Sequence, residues 1–167
     1  MSSENFSPLT IDQIVETHSQ AVYGYAFRLS GSPQDAEDLT QQTFLTAHRK
    51  IDQLREPERI KSWLLTITRN LFLKQCRKKA PINWDNEWLD AIPEDSPALD
   101  GPYDIEQLQT ALAELPEPQR LILLMFYFEE LPYKEIAEQL DVPLGTVMSR
   151  LARAKQVLRA RLEKSGP

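Results

Sequence analysis

Tyr133 to Arg161, YKEIAEQLDVPLGTVMSRLARAKQVLRAR, is the stretch that decides how the chain reads. Ile136, Ala137 and Leu140 recur at the three-and-four spacing of a helix packed on a neighbour. Asp141-Val142-Pro143 then predicts a stop, because proline disfavours helical geometry in the residue before it and has no N–H to donate. A second helix follows, with Val147, Leu151 and Ala154 inward and Ser149, Arg150 and Arg153 on the other side. Small Ala137 near the corner and apolar Val142 in the turn suit two short helices that cross steeply. This is the pattern of a helix-turn-helix, whose second helix lies in the DNA major groove. Between Met148 and Lys164, Arg150, Arg153, Lys155, Arg159, Arg161 and Lys164 stand against one acid, Glu163. A helical hairpin with a solvated basic face would explain the spacing alone, but turn, spacing and charge together point to DNA.

The rest of the composition sets limits on that reading. The 167 residues allow one domain or two small ones, and 41% hydrophobic content suits a globular protein with real cores. A single cysteine, Cys76, excludes an internal disulfide and fits a reducing cytoplasm. No apolar run approaches the ~20 residues of a membrane span. The opening MSSENFSPLT lacks the basic and apolar parts of a signal peptide. The net charge of -6 argues against tight binding to free DNA, since affinity grows with the number of phosphates neutralised. The positive charge must therefore be concentrated, or a partner must supply the attraction.

Upstream, Ile11, Ile14, Val15, Val22, Tyr25 and Leu29 predict a helix over Ile11 to Leu29. Gly24 within it hints at close helix packing, and His18 has no second ligand at metal spacing. Ser32-Pro33-Gln34-Asp35 is a helix start, with Ser32 as cap, Pro33 in the first turn and Asp35 able to close a capping box. The helix DAEDLTQQTFLTAHRKI buries Ala36, Leu39, Thr43, Phe44, Ala47 and Ile51, while its acidic first turn is explained by the helix dipole alone. After the polar connector DQLREP, Glu58 to Lys79 reads as a helix with Ile60, Trp63, Leu64, Ile67 and Leu71 inward. Its end carries Arg69, Lys74, Arg77, Lys78 and Lys79 without an acid, which suggests a phosphate-binding surface. Trp63 suits a core, and beside a basic helix it also suits unstacked bases.

Ala80 to Asp104 holds four prolines and seven acids with no lysine or arginine, the composition of a linker with Trp84, Trp88 and Leu89 as apolar anchors. Beyond it, Ile105, Leu108 and Leu112 start another helix with Asp104 and Gln107 as a capping pair, and LILLMFYF supplies core. The expected fold is all-α: a domain over 1–79, an acidic Pro-rich linker over 80–104, and a helix-turn-helix domain over 105–167.

DAEDLTQQTFLTAHR, then IKSWLLTITRNLFL, then LAELPEPQRLILLMFYFEELPYKEIAEQLDVPLGTVMSRLARAKQVL resemble the extracytoplasmic-function group of bacterial RNA polymerase sigma factors, over nearly the whole chain outside the N-terminal tip and the linker. The resemblance implies a factor that binds core RNA polymerase and directs promoter-specific initiation. Asp35, Asp38, Leu39, Gln42 and Phe44 would then face the clamp helices of the largest polymerase subunit. Arg59, Lys61, Trp63, Arg69, Asn70, Lys74 and Arg77 would engage the minus-ten element. In the minus-thirty-five element, Ser149 and Arg153 would meet base edges, and Tyr133, Thr146 and Arg150 phosphates. It also implies an anti-sigma inhibitor as a partner, with no cofactor, metal or catalytic residue, and a cytoplasmic setting. Met148, Ala152 and Pro132 depart from the residues common in the group, so the promoter sequence is left open. Two other readings fit parts of the chain: a stand-alone helix-turn-helix regulator, and a sigma-like decoy that titrates an inhibitor.

Overall fold

The computed structural model describes residues 9–79 and 104–164. The expected linker, with Trp84, Trp88 and Leu89, lies outside the described residues apart from Asp104. The described residues form seven α-helices and no strand: α1 (Ile11–Ser30), α2 (Pro33–Lys50), α3 (Ile60–Lys79), α4 (Ile105–Glu114), α5 (Glu117–Tyr127), α6 (Tyr133–Leu140) and α7 (Leu144–Lys164). Two single 3-10 turns, Ile51–Gln53 and Pro57–Arg59, join α2 to α3.

The helix boundaries follow local chemistry. Thr10 opens α1 through a capping box with Gln13, an arrangement the sequence reading had not singled out. Gly31 closes the same helix in the left-handed conformation, at φ 73°, which glycine adopts without steric cost. Ser32 caps α2 by accepting from the Asp35 N–H at 3.4 Å. Its own N–H lies against Ser30 Oγ, not the Asp35 carboxylate expected to complete a box. Asp104 likewise makes no side-chain cap, so α4 starts without the expected Asp104–Gln107 pair. The stop between α6 and α7 falls at Asp141-Val142-Pro143 as expected, but proline is not its cause. The helix ends at Asp141, left-handed at φ 54°, with the Val142 N–H on the Ala137 carbonyl at 3.1 Å. Pro143 instead begins the next helix, its carbonyl accepting from Thr146 and Val147.

Glu130, in the turn after α5, has φ 55°. Unlike Asp141, whose short polar side chain tolerates this region, glutamate gains nothing there. Glu130→Gly is expected to stabilise the fold by about 1 kcal/mol, raising the urea midpoint at unchanged m-value.

α1, α2 and α3 pack as one group, and α5, α6 and α7 as another with α4 laid on α7. One end of the first group has its own buried cluster of Ile14, Val22, Phe44, Ala47, Ile60 and Leu64. The other end does not stop at the group's edge. Tyr25, Leu29, Leu39, Leu65, Phe72, Leu73 and Cys76 join Leu112, Leu121, Leu124 and Leu158 in a single core. In this conformation the two halves are closed on each other. α3 is therefore buried on two faces, which explains why Leu65, Phe72, Leu73 and Cys76 are inward as well as the expected Ile60 and Leu64. Trp63, Ile67 and Leu71 are only half-buried.

Candidate nucleic-acid interface

In α6 and α7 the residues expected to face inward do so. Ile136, Val147, Leu151 and Ala154 are buried, fixing α7 against α5 and α6. That leaves Ser149 half-buried and Arg153 exposed, four residues apart on one stripe. Gln156 is exposed one turn beyond Arg153 on the same stripe. The i, i+3 spacing from Arg153 would have revealed it. Ser149 Oγ donates to the Thr146 carbonyl at 3.2 Å, which orients the hydroxyl at the helix start.

Not every expected contact residue reaches that surface. Thr146 is 5% exposed and belongs to the turn that seats α7, so its side chain faces inward instead of presenting a hydroxyl to phosphate. Tyr133 is half-buried and stacks on Phe126 with ring centroids 5.2 Å apart. Arg150 is half-buried beside the exposed stripe. Lys155 lies over the Phe126 ring at 5.3 Å, so its charge rests on its own domain.

On α3, helical geometry separates the expected residues into different faces. At 3.6 residues per turn, Trp63, Asn70, Lys74 and Arg77 fall on one stripe. Asn70, Lys74 and Arg77 are exposed along it and Trp63 is half-buried at its head. Here the structure brings together an aromatic ring, an amide and two cations. Lys61 is exposed on a different face of the helix, and its charge, after burial, helps hold the His18 pKa below its ordinary value. Arg59 is exposed in the preceding turn and paired with Glu56 at 2.7 Å.

Arg69 is the clear departure. It lies about 120° around the helix from Trp63, and only 1% of its surface is exposed. Its Nε and Nη2 donate to the two carboxylate oxygens of Glu129, each at 2.9 Å, and Nη2 also donates to Gln139. Charge, read without register, had placed it with the DNA-facing residues; the closed core claims it instead.

On α2, Asp35, Asp38 and Gln42 are exposed along one face, whereas Leu39 and Phe44 are buried at 0% and 8%. Leu39 holds the helix in place and presents no surface, and Phe44 reaches the surface only by the edge that lines the neighbouring groove. Leu45, 63% exposed, occupies the same outward face three residues beyond Gln42, where helical register alone places it. Beside it, Ile11, Val15, Phe44 and Leu45 line a shallow apolar groove of about 600 Å³.

Among the described residues no three His, Cys, Asp or Glu side chains gather in a way that could hold a metal ion. No helix among them is long and apolar enough to cross a membrane.

A family model described as Sigma-70 region 2 matches residues 14–82, and one described as Sigma-70, region 4 matches residues 105–158. The ECF RNA polymerase sigma factor SigE of Mycolicibacterium smegmatis is 40% identical over 159 residues, which cover 92% of this chain and 62% of that protein. The chain thus spans less than two thirds of that relative's length. The ECF RNA polymerase sigma factor SigW of Bacillus subtilis is 30% identical over 166 residues, covering 89% of this chain and 87% of SigW. Among solved structures, the sigma factor RpoE of Bartonella quintana, crystallised with the anti-sigma factor NepR, superposes with a TM-score of 0.64 at 28% identity. That match covers 93% of this chain and 98% of RpoE.

Proposed function

The chain belongs to the extracytoplasmic-function sigma factors of the sigma-70 family, and from that premise we propose that it binds core RNA polymerase and directs it to a specific set of promoters. The observation that supports this best is the pairing of two surfaces on separate helical groups. One is the Trp63, Asn70, Lys74 and Arg77 stripe of α3; the other is the Ser149, Arg153 and Gln156 stripe of α7. The first has the composition for holding an unstacked strand, an aromatic face with cations along it. The second is a helix at the end of a helix-turn-helix, shaped for the major groove of a duplex.

The exposed face of α2, with Asp35, Asp38, Gln42 and Leu45, is the proposed polymerase contact, on which an apolar side chain is ringed by acids and an amide. With a net charge of -6, the chain depends on polymerase to bring its two basic stripes onto DNA. It acts as an initiation factor in the cytoplasm and contributes no catalytic residue of its own. An anti-sigma protein, the class seen with the Bartonella relative, is a fitting inhibitor.

Transcription in vitro with purified core polymerase on a genomic library, with start sites sequenced, tests the proposal. Starts clustered behind a shared pair of elements, appearing only when the chain is added, are the expected result. Starts unchanged by the chain would remove it and favour the decoy reading.

A further inference from the structure

One carboxylate ties the two halves together. Glu129, in the turn between α5 and α6, receives four hydrogen bonds from the first group of helices. Tyr25 Oη donates at 2.6 Å, Thr66 Oγ1 at 3.1 Å, and the Arg69 guanidinium twice at 2.9 Å. The Arg69 and Glu129 side chains are 1% and 0% exposed. The interface is closed elsewhere by Arg28 over the Phe128 ring at 4.6 Å and by the Cys76 thiol on Glu117 at 3.2 Å.

A buried ion pair is a poor choice for holding a permanent core, because an apolar pair of similar volume is often as stabilising or more so. It is a good choice for a contact that must open. Arg69 and Glu129 come from different halves, so parting the halves returns both ions to water and leaves neither buried. The promoter geometry requires such a parting. Elements named minus thirty-five and minus ten lie some 25 base pairs apart, about 85 Å at ~3.4 Å per base pair. A compact chain of this length has a radius of gyration of only about 15 Å. The closed molecule cannot lie on both elements at once.

We propose that Glu129, seated in the Tyr25–Thr66–Arg69 socket, is an intramolecular latch that holds the two DNA-binding modules shut, and that its release sets the fraction of protein able to engage a promoter. The regulatory meaning rests on the proposed promoter reading; the latch itself does not. Arg69, on this account, is a positioning residue of the closed state.

The single cysteine reports the opening. Burial, then the hydrogen bond and charge of Glu117, push the Cys76 thiol up to about 12, so the closed form presents almost no thiolate at pH 8. In the closed form the thiol is 9% exposed and held on Glu117, so reaction with Ellman's reagent is slow there and speeds up as the open fraction rises. Removing one partner of a buried ion pair is among the costlier single changes, so Glu129→Gln is expected to accelerate labelling about 100-fold with helical content retained. Tyr25→Phe removes one charge-assisted hydrogen bond and is expected to give roughly 10-fold. If Glu129→Gln loses its helical signal, Tyr25→Phe decides alone. Labelling at the wild-type rate in the folded variants would overturn the latch. The assay contains neither polymerase nor DNA, so a failure of the promoter reading leaves its outcome intact. With core polymerase added, Glu129→Gln is expected to reach half-maximal transcription at a lower concentration than wild type. Faster labelling with an unchanged dose response would overturn its regulatory role.

Discussion

Charge reversal at Arg153 is expected to lower promoter-directed output about 100-fold while leaving affinity for core polymerase within a factor of two. Arg153 is exposed on the outward stripe of α7, and Val147, Leu151 and Ala154 on the opposite side fix the helix beneath it. A guanidinium gripping a guanine edge contributes about 1–3 kcal/mol of discrimination. A carboxylate in its place would add repulsion from nearby phosphates of similar size, and about 3 kcal/mol in total is roughly 100-fold. Nothing in the core depends on the side chain, so the variant should fold as the wild type does. Pull-down by core polymerase and run-off transcription, measured on one preparation, separate the two effects. Equal output from both proteins would show that α7 does not read the promoter.

The second large effect is expected at Leu124, in the middle of α5. Ile122, Leu124 and Met125 are all 0% exposed, and α5 is the helix on which α7 rests. Leu124→Ala is expected to destabilise the protein by about 2–5 kcal/mol, the removed methyl groups and the cavity both counting. That is a large share of the ~5–15 kcal/mol by which a domain of this kind is stable. Urea unfolding followed by circular dichroism measures it. Leu45→Ala makes the contrast, since this leucine is 63% exposed. It is expected to leave the urea midpoint nearly unchanged, within about 0.5 kcal/mol, and to weaken polymerase binding instead.

Most of the fold was readable because its signals are local. Ser32-Pro33 announces α2, and Ile136, Ala137, Val147 and Leu151 repeat at helical spacing. What escaped depends on contacts distant in sequence. Leu65 and Phe72 share the stripe of α3 that carries Arg69 and Cys76, whose partners Glu129 and Glu117 lie more than forty residues on. Arg69 escaped for the same reason: its partner Glu129 is sixty positions away, and no local pattern joins an arginine to a distant carboxylate. Register would have warned against grouping it with Asn70, Lys74 and Arg77. Leu45 and Gln156 were within reach of the same test, since each continues a stripe already drawn on its helix. The helix ends were harder. Asp141 turns left-handed before Pro143 can act, and Asp104 has a capping residue's chemistry without making the bond.

The proposed division of labour has an acidic chain read promoter DNA only on polymerase, with its two modules parted. Fluorescence anisotropy of a labelled duplex carrying both promoter elements measures this most directly, with the chain alone, core polymerase alone, and the two together at physiological salt. Tight, sequence-dependent binding only in the combined sample is the predicted result. Equally tight and selective binding by the chain without polymerase would contradict it, as would a combined sample no more selective than polymerase by itself.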